Sequence, residues 1–235
     1  MVVDITSIQN KASYLQTQVL KFGFFTASRI ILFDFLQKKY FTKKGISFPD
    51  FSNNIDLTIS KSVHMDSHEN RESSFFALRK AISKIPLRHH QINLLDIGCG
   101  SGKLLLVGMR SGFKNVFGID LDVQSIEKAT ANCRQMKLAG SGTNFILKNT
   151  DASLFDIPAG TNLIYLFNPF GEKTMSKVVL NIERYFNLHH SELYVIYLNP
   201  KYDTIFTARK IFKKIYASYF KGGANKEISI YKLIL

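Results

Sequence analysis

The run Leu94-Leu95-Asp96-Ile97-Gly98-Cys99-Gly100-Ser101-Gly102-Lys103 most narrows what this chain can fold into. A short apolar run passes into three alternating glycines and then into a helical pattern at 103–111. Glycines at such a bend remove side chains where the backbone turns sharply and a ligand must come close. The helix start behind them offers free amide donors. A loop of this kind needs a buried strand in front and a helix behind, the opening of a βαβ unit. By itself it admits any nucleotide-like cofactor.

The rest of the chain follows the same rhythm. Apolar runs at 92–97, 116–119, 144–147, 163–167 and 193–198 have the length of strands buried on both faces of a sheet. Helical patterns at 103–111, 123–137 and 173–187 lie between them, and 150–160 carries no clear pattern. This alternation predicts an α/β fold, a doubly wound, mostly parallel sheet with right-handed crossovers. A helix over 71–85, ended by Pro86, precedes the first strand. The stretch 207–220 reads as one more helix, Gly222-Gly223 breaks it, and 227–235 reads as a last strand.

Residues 1–60 form a separate, aromatic and basic appendage to a domain of residues 61–235. Leu20, Phe24, Ala27, Ile31 and Phe35 recur at steps of three or four, the apolar face of an amphipathic helix. Lys21, Arg29, Lys38, Lys39, Lys43 and Lys44 surround it. Such a segment could pack on its own domain, cover a substrate pocket as a lid, or make peripheral contact with an anionic membrane. The stretch 43–54, with Gly45 and Pro49, closes it.

Lys and Arg number 31 against 18 Asp and Glu, a net charge of +13 that would concentrate anionic partners, nucleic acid among them. No recognisable nucleic-acid-reading module accompanies it. Cys99 and Cys133 are too few for a disulfide framework or, alone, a structural zinc site. The early apolar stretch is interrupted by Lys21, Arg29 and Asp34, and no basic n-region with an apolar run opens the chain. A cytoplasmic protein is expected.

Spacing then separates the cofactor options. A dinucleotide loop starting at Gly98 would need glycine or alanine where Lys103 stands, and a phosphate loop would need Ser or Thr where Leu104 stands. Asp96, two residues before the first glycine, places a carboxylate beside the turn, where it can accept hydrogen bonds from an ammonium group. Asp120 ends the second strand at the spacing where a carboxylate takes ribose hydroxyls. An ammonium end and a ribose without phosphate describe S-adenosylmethionine.

Over about residues 70–235 the sequence resembles the class I S-adenosylmethionine-dependent methyltransferases, with Asp96-Ile97-Gly98-Cys99-Gly100-Ser101-Gly102 as their first motif and Gly118-Ile119-Asp120 as their second. Asn149-Thr150-Asp151-Ala152 resembles the third and Leu166-Phe167-Asn168-Pro169-Phe170 the fourth. The resemblance implies a seven-stranded Rossmann-like sheet and a cofactor site of Asp96, Gly98, Cys99, Gly100, Gly102, Asp120, Leu121, Asp151, Ala152 and Asn168. In it Asp151 faces the adenine amino group and the amide of Ala152 the ring. It implies Asn168, Pro169 and Phe170 as the catalytic group beside the methyl. Local alternatives stand beside these roles: Asp120 could cap the next helix, although Asp122 is the better placed cap, and Asp151 could cap a short helix. Cys99 and Cys133 read as packing residues.

Amino-methylating relatives carry Asp/Asn-Pro-Pro-Tyr/Phe, whereas Asn168-Pro169-Phe170-Gly171 has one proline. Closer is a largely uncharacterised bacterial branch with Asn-Pro-Phe after the fourth strand and Tyr-x-Asn-Pro after the fifth, as in Tyr197-Leu198-Asn199-Pro200. Asn168 and Asn199 could hold an acceptor or only stabilise X-Pro turns. His64, His68 and Glu72 precede or enter the first domain helix, and the pairs His89-His90 and His189-His190 read as loops before strands. None has metal-ligand spacing, and no general base stands out. The expected activity is methyl transfer to an unidentified nitrogen or oxygen acceptor: a protein lysine or other amine, a sugar hydroxyl or a nucleic acid. A non-catalytic module that keeps the cofactor fold to bind an anionic partner is the alternative.

Overall fold

A computed structural model describes residues 16, 19–20, 22–48, 73–167, 170–220 and 226–235. Seven strands form one sheet: β1 (Asn93–Ile97), β2 (Asn115–Asp120), β3 (Asn144–Asn149), β4 (Leu163–Phe167), β5 (Tyr194–Leu198), β6 (Phe212–Tyr219) and β7 (Lys226–Leu233). Their order is β3-β2-β1-β4-β5-β7-β6. β7 runs antiparallel to both neighbours, and the pairings among β1 to β5 are parallel. The order reverses between β1 and β4, so a crevice opens at the carboxyl ends of these strands, where α/β sheets take their ligands. The helices are α1 (Phe24–Thr42), α2 (Phe75–Ile82), α3 (Lys103–Ser111), α4 (Val123–Leu138), α5 (Glu172–His189) and α6 (Asp203–Thr207). No described helix is long and apolar enough to cross a membrane.

Both faces of the sheet are packed, as the unbroken apolar runs of β1, β4 and β5 require. Leu95, Ile97, Ile164 and Leu166 meet α5 on one face through Met175, Val178, Val179 and Ile182. On the other, Leu94, Val116 and Ile196 share a core with Leu78 of α2, Leu105 of α3 and Cys133 of α4. The appendage joins that second core. Phe41 and Phe48 pack on Phe75, with the Phe41 and Phe75 rings stacked at 5.5 Å. The Arg110 guanidinium lies 3.7 Å from the centre of the Tyr40 ring.

Two expectations are corrected. The stretch 207–220 is not a helix: after the short α6 it becomes β6, whose Phe212, Lys214 and Tyr216 are more buried than the alternating Lys213 and Ile215. That period of two belongs to a strand. Antiparallel pairing with β7 provides the backbone partners, and an edge position tolerates the lysines. The second correction concerns α1. Ala27 is buried as expected, but its buried companions are Ile30 and Phe41, while Leu20, Phe24 and Phe35 are 71%, 63% and 61% exposed. The helix is turned so that Asp34 accepts a hydrogen bond from the Phe76 amide at 2.9 Å, and Ser74 caps the same helix start through the Ala77 amide at 3.0 Å. Satisfying α2's free amides thus sets the rotation of α1. Burial pushes the Asp34 carboxyl up to about 6 against the pull of the Phe76 amide. The helix expected over 71–85 is described as Phe75–Ile82; Arg71 and Glu72 lie outside the described residues.

Candidate cofactor site

The glycine loop is pinned to β2 before it reaches α3. The Gly98 and Cys99 amides both donate to the Ile119 carbonyl, at 2.9 and 3.0 Å, and the Gly102 amide donates to Cys99 at 2.9 Å. Gly98, Gly100 and Gly102 have φ values of 78°, 51° and 85°, the left-handed region that disfavours any side chain. One of these glycines also answers a spatial need within the protein. A Cβ on Gly102 would lie 3.1 Å from Cβ of Ala129 in α4, whereas a Cβ on Gly100 would meet nothing within 4 Å. Gly102 admits a helix and Gly100 borders open space.

Asp96 sits on the face of β1 that Leu94 shares with α2, α3 and α4, in register with Gly118 on β2 and Tyr165 on β4. It is 2% exposed, and its Oδ1 has no hydrogen-bond partner. Burial, reinforced by the charge of Asp120, holds its carboxyl well above the usual range. A buried acid without a donor is costly unless a ligand supplies one, and an ammonium group is the matching donor. Tyr165 OH beside it is also buried, and burial raises its pKa against the pull of Ser73. Tyr165 escaped sequence reasoning because strand register alone brings it next to Asp96.

Asp120 has two duties in the structure. Its Oδ2 accepts from the Gly100 amide at 2.8 Å and its Oδ1 from the Asp122 amide at 2.9 Å. Burial raises its pKa, opposed by these amides. It does not cap α4; Asp122 does, accepting from the Gln124 and Ser125 amides at 3.3 and 3.0 Å. Each Asp120 oxygen keeps capacity for a further donor, so holding the loop and receiving ribose hydroxyls are compatible. Leu121 is 41% exposed at the same strand end. Asn149 Nδ2 ties the turn down by donating to the carbonyls of Asp120 and Leu121, at 3.1 and 2.7 Å.

Asp151 follows β3 and accepts from the Ser153 amide at 2.7 Å, and what it caps is a turn rather than a short helix. Ala152 is partly buried against the core that Leu95 and Ile97 share with α5. Phe170 packs against that same core, while Asn168 and Pro169 lie outside the described residues. Phe167 and Leu198 are register partners, so positions 168 and 199 follow adjacent strand ends. Asn199 is exposed with φ 47°, and its amide donates to Glu227 at 2.8 Å, a tie between β5 and β7. His64, His68 and Glu72 lie outside the described residues. His89 and His90 form a short 3-10 turn before β1 rather than an irregular loop; His189 ends α5 and His190 is its C-cap.

Cys99 and Cys133 are buried free thiols. Burial pushes Cys133 up to about 12 and Cys99 well above its usual value, which suits packing and disfavours a nucleophile. Lys103, the residue that departs from the phosphate motifs, lies over α2 and the appendage, with Nζ 4.2 Å from the centre of the Phe75 ring and 5.8 Å from that of Phe48.

An open cradle at Gly100, an orphaned buried acid at Asp96 and a partly free carboxylate at Asp120 fit a ligand with an ammonium end and vicinal hydroxyls. The family model of ribosomal protein L11 methyltransferase (PrmA) matches residues 67–157, which contain these three features. Ribosomal protein L11 methyltransferases of Shewanella baltica are 36% identical over 61 residues, 26% of this chain and 21% of theirs. This chain therefore spans about a fifth of the length of the curated relatives it matches. Among solved structures, the yhhF protein of Escherichia coli superposes with a TM-score of 0.55 at 15% identity, over 70% of this chain and 90% of that one. The PH0226 protein of Pyrococcus horikoshii gives 0.50 at 16% identity, over 68% and 89%. The strand order, the glycine loop at the switch point and the matched segment identify the chain as having the class I S-adenosylmethionine-dependent methyltransferase fold.

Proposed function

We propose that the protein transfers the methyl group of S-adenosylmethionine to a macromolecular acceptor. The observation that carries this reading is the pairing of an open cradle at Gly100 with a buried carboxyl oxygen of Asp96, Oδ1, that has no hydrogen-bond partner. When bound, the cofactor supplies a methyl group made electrophilic by its sulfonium. The protein's part is to hold donor and acceptor in line at near-attack distance. Asp96 receives the ammonium end, Asp120 the ribose hydroxyls, and Asp151 with the Ala152 amide the adenine. Gly98, Cys99, Gly100 and Gly102 bring backbone, not side chains, against the cofactor, and Leu121 lines the ribose end. Asn168 orients the acceptor, Pro169 holds it extended, and Phe170 forms an apolar wall. Residues 1–60 act as a lid on the acceptor side, in a cytoplasmic enzyme.

The relatives' name makes a ribosomal protein the first acceptor to test, with a lysine or other amine as its methylated group. A net charge of +13 suits a target set in polyanionic RNA. Tritium transfer from labelled S-adenosylmethionine into purified ribosomal subunits and their separated proteins tests this, and turnover should fall with added salt while cofactor affinity holds. Cofactor binding with no transfer to ribosomes, nucleic acid or cell extract would favour the non-catalytic module. Asn168→Ala should lower turnover at least about tenfold with cofactor affinity nearly unchanged, the mark of an interaction made in the transition state. Full turnover in a less stable Asn168→Ala protein would reduce Asn168 to a turn residue.

A further inference from the structure

The buried stripe of α4 is Ala129, Asn132, Cys133 and Met136, and Asn132 is its polar member. An amide in such a stripe is costly unless its donors and acceptor are matched. They are matched by two distant stretches of chain. Nδ2 donates to the Ser47 carbonyl and to the Ser101 carbonyl, each at 3.1 Å, and Oδ1 accepts from the Ser47 amide at 3.3 Å. Ser101 lies between Gly100 and Gly102 in the cofactor loop, and Ser47 lies between the buried Ile46 and Phe48 of the appendage. One turn before Asn132, Ala129 makes the close contact that Gly102 permits. Beyond the loop, Lys103 Nζ stands 4.2 and 5.8 Å from the ring centres of Phe75 and Phe48.

We infer that Asn132 is a positioning residue that couples the seating of residues 46–48 to the shape of the cofactor loop. The inference rests on the cofactor reading of that loop. All three hydrogen bonds use main-chain groups of the partners, so the clip reads where the two segments lie, not which side chains they carry. A ligand that fixes the Ser101 carbonyl also fixes the amide that holds Ser47. Coupling of this kind is reciprocal: an acceptor that seats the appendage tightens the cofactor site, and cofactor prepares the appendage for the acceptor.

The test uses the full chain and S-adenosylhomocysteine. In the wild type, saturating ligand should slow hydrogen exchange at the Ser47 amide, which donates to Asn132 Oδ1. In Asn132→Ala that slowing should vanish, with affinity for S-adenosylhomocysteine about three- to tenfold weaker by calorimetry. Ser47→Ala should behave as wild type in both measurements. Should Asn132→Ala fail to fold, the wild-type exchange measurement still decides: ligand-dependent slowing at Ser47 supports the coupling, and its absence overturns it. Unchanged affinity together with retained slowing in folded Asn132→Ala would overturn the role of Asn132 alone. No binding to the wild type would overturn the cofactor reading, and this inference with it.

Discussion

The two ends of the sheet treat polar side chains in opposite ways. At the amino edge, Asn144, Asn115 and Asn93 start β3, β2 and β1 in register and form a ladder. Asn144 Nδ2 donates to Asn115 Oδ1 at 3.1 Å, and Asn115 Nδ2 to Asn93 Oδ1 at 2.7 Å. Asn93 Nδ2 goes on to the Gly160 carbonyl, and Asn162 Oδ1 accepts from the Asn93 amide, both at 2.8 Å. At the carboxyl edge, Asp96 is more deeply buried and keeps an oxygen without a hydrogen-bond partner. A closed network stabilises the strand starts. An open one is tolerated where a ligand is to complete it, because an unmatched buried group costs about 1–3 kcal/mol and more when charged. The edge that is weaker in the free protein is the edge with work to do.

The largest effect expected at the carboxyl edge is from Gly100→Val. A branched residue in the left-handed region costs on the order of 1–2 kcal/mol, and its side chain enters the open space of the cradle. Calorimetry should detect no S-adenosylhomocysteine binding, while circular dichroism shows the fold retained; unchanged affinity would remove the distinction between the edges.

Asp96→Asn comes next, with affinity about tenfold weaker or more and with greater stability at neutral pH. The sign follows from linkage. The folded carboxyl is raised above its unfolded value of 3.8, so the stability tied to its proton is complete below that value and is lost as pH rises through the folded pKa. Asp34 adds a similar loss up to about pH 6. Thermal unfolding of wild type and Asp96→Asn should therefore diverge as pH rises above 3.8, with the variant the more stable, while Asp34, present in both, adds the same loss to each. A variant less stable than wild type there would mean that Asp96 is structural.

Asp120→Ala should show both characters. Losing the acceptor for the Gly100 and Asp122 amides costs about 1–2 kcal/mol of stability, and affinity should fall about tenfold. A stability loss alone would assign Asp120 to the loop. The smallest effect on the ligand is expected from Asn115→Ala, which opens the amino-edge ladder: stability should drop by about 1 kcal/mol with affinity within about twofold of wild type. A tenfold affinity loss there would show that the two edges are not independent.

Most of the site's backbone was legible in the sequence because it depends on local chemistry. Three glycines in alternation specify a left-handed, side-chain-free loop wherever they occur between a strand and a helix, and all three have positive φ. Asp122 one residue before α4 is a cap by sequence position alone, and it caps. The failures share a different cause. Lys213-Lys214 inside an aromatic stretch fits a helix or an edge strand equally, and only pairing with β7 settles β6. The apolar steps of α1 allow more than one buried face, and Asp34, needed at the start of α2, selects one.

By itself the sequence determined the strand and helix alternation, the glycine loop, and the acids placed two residues before Gly98 and eighteen after Gly102. Each of these is set within a few residues, by glycine's conformational freedom or by burial periodicity. Tertiary structure alone decided that Tyr165 stands beside Asp96, that Asp120 holds Gly100, and that Asn132 joins Ser47 to Ser101 across separations of 85 and 31 residues. These are matches between polar groups distant in sequence. Burial obliges such groups to find partners, but only strand register and helix rotation decide which partners they find.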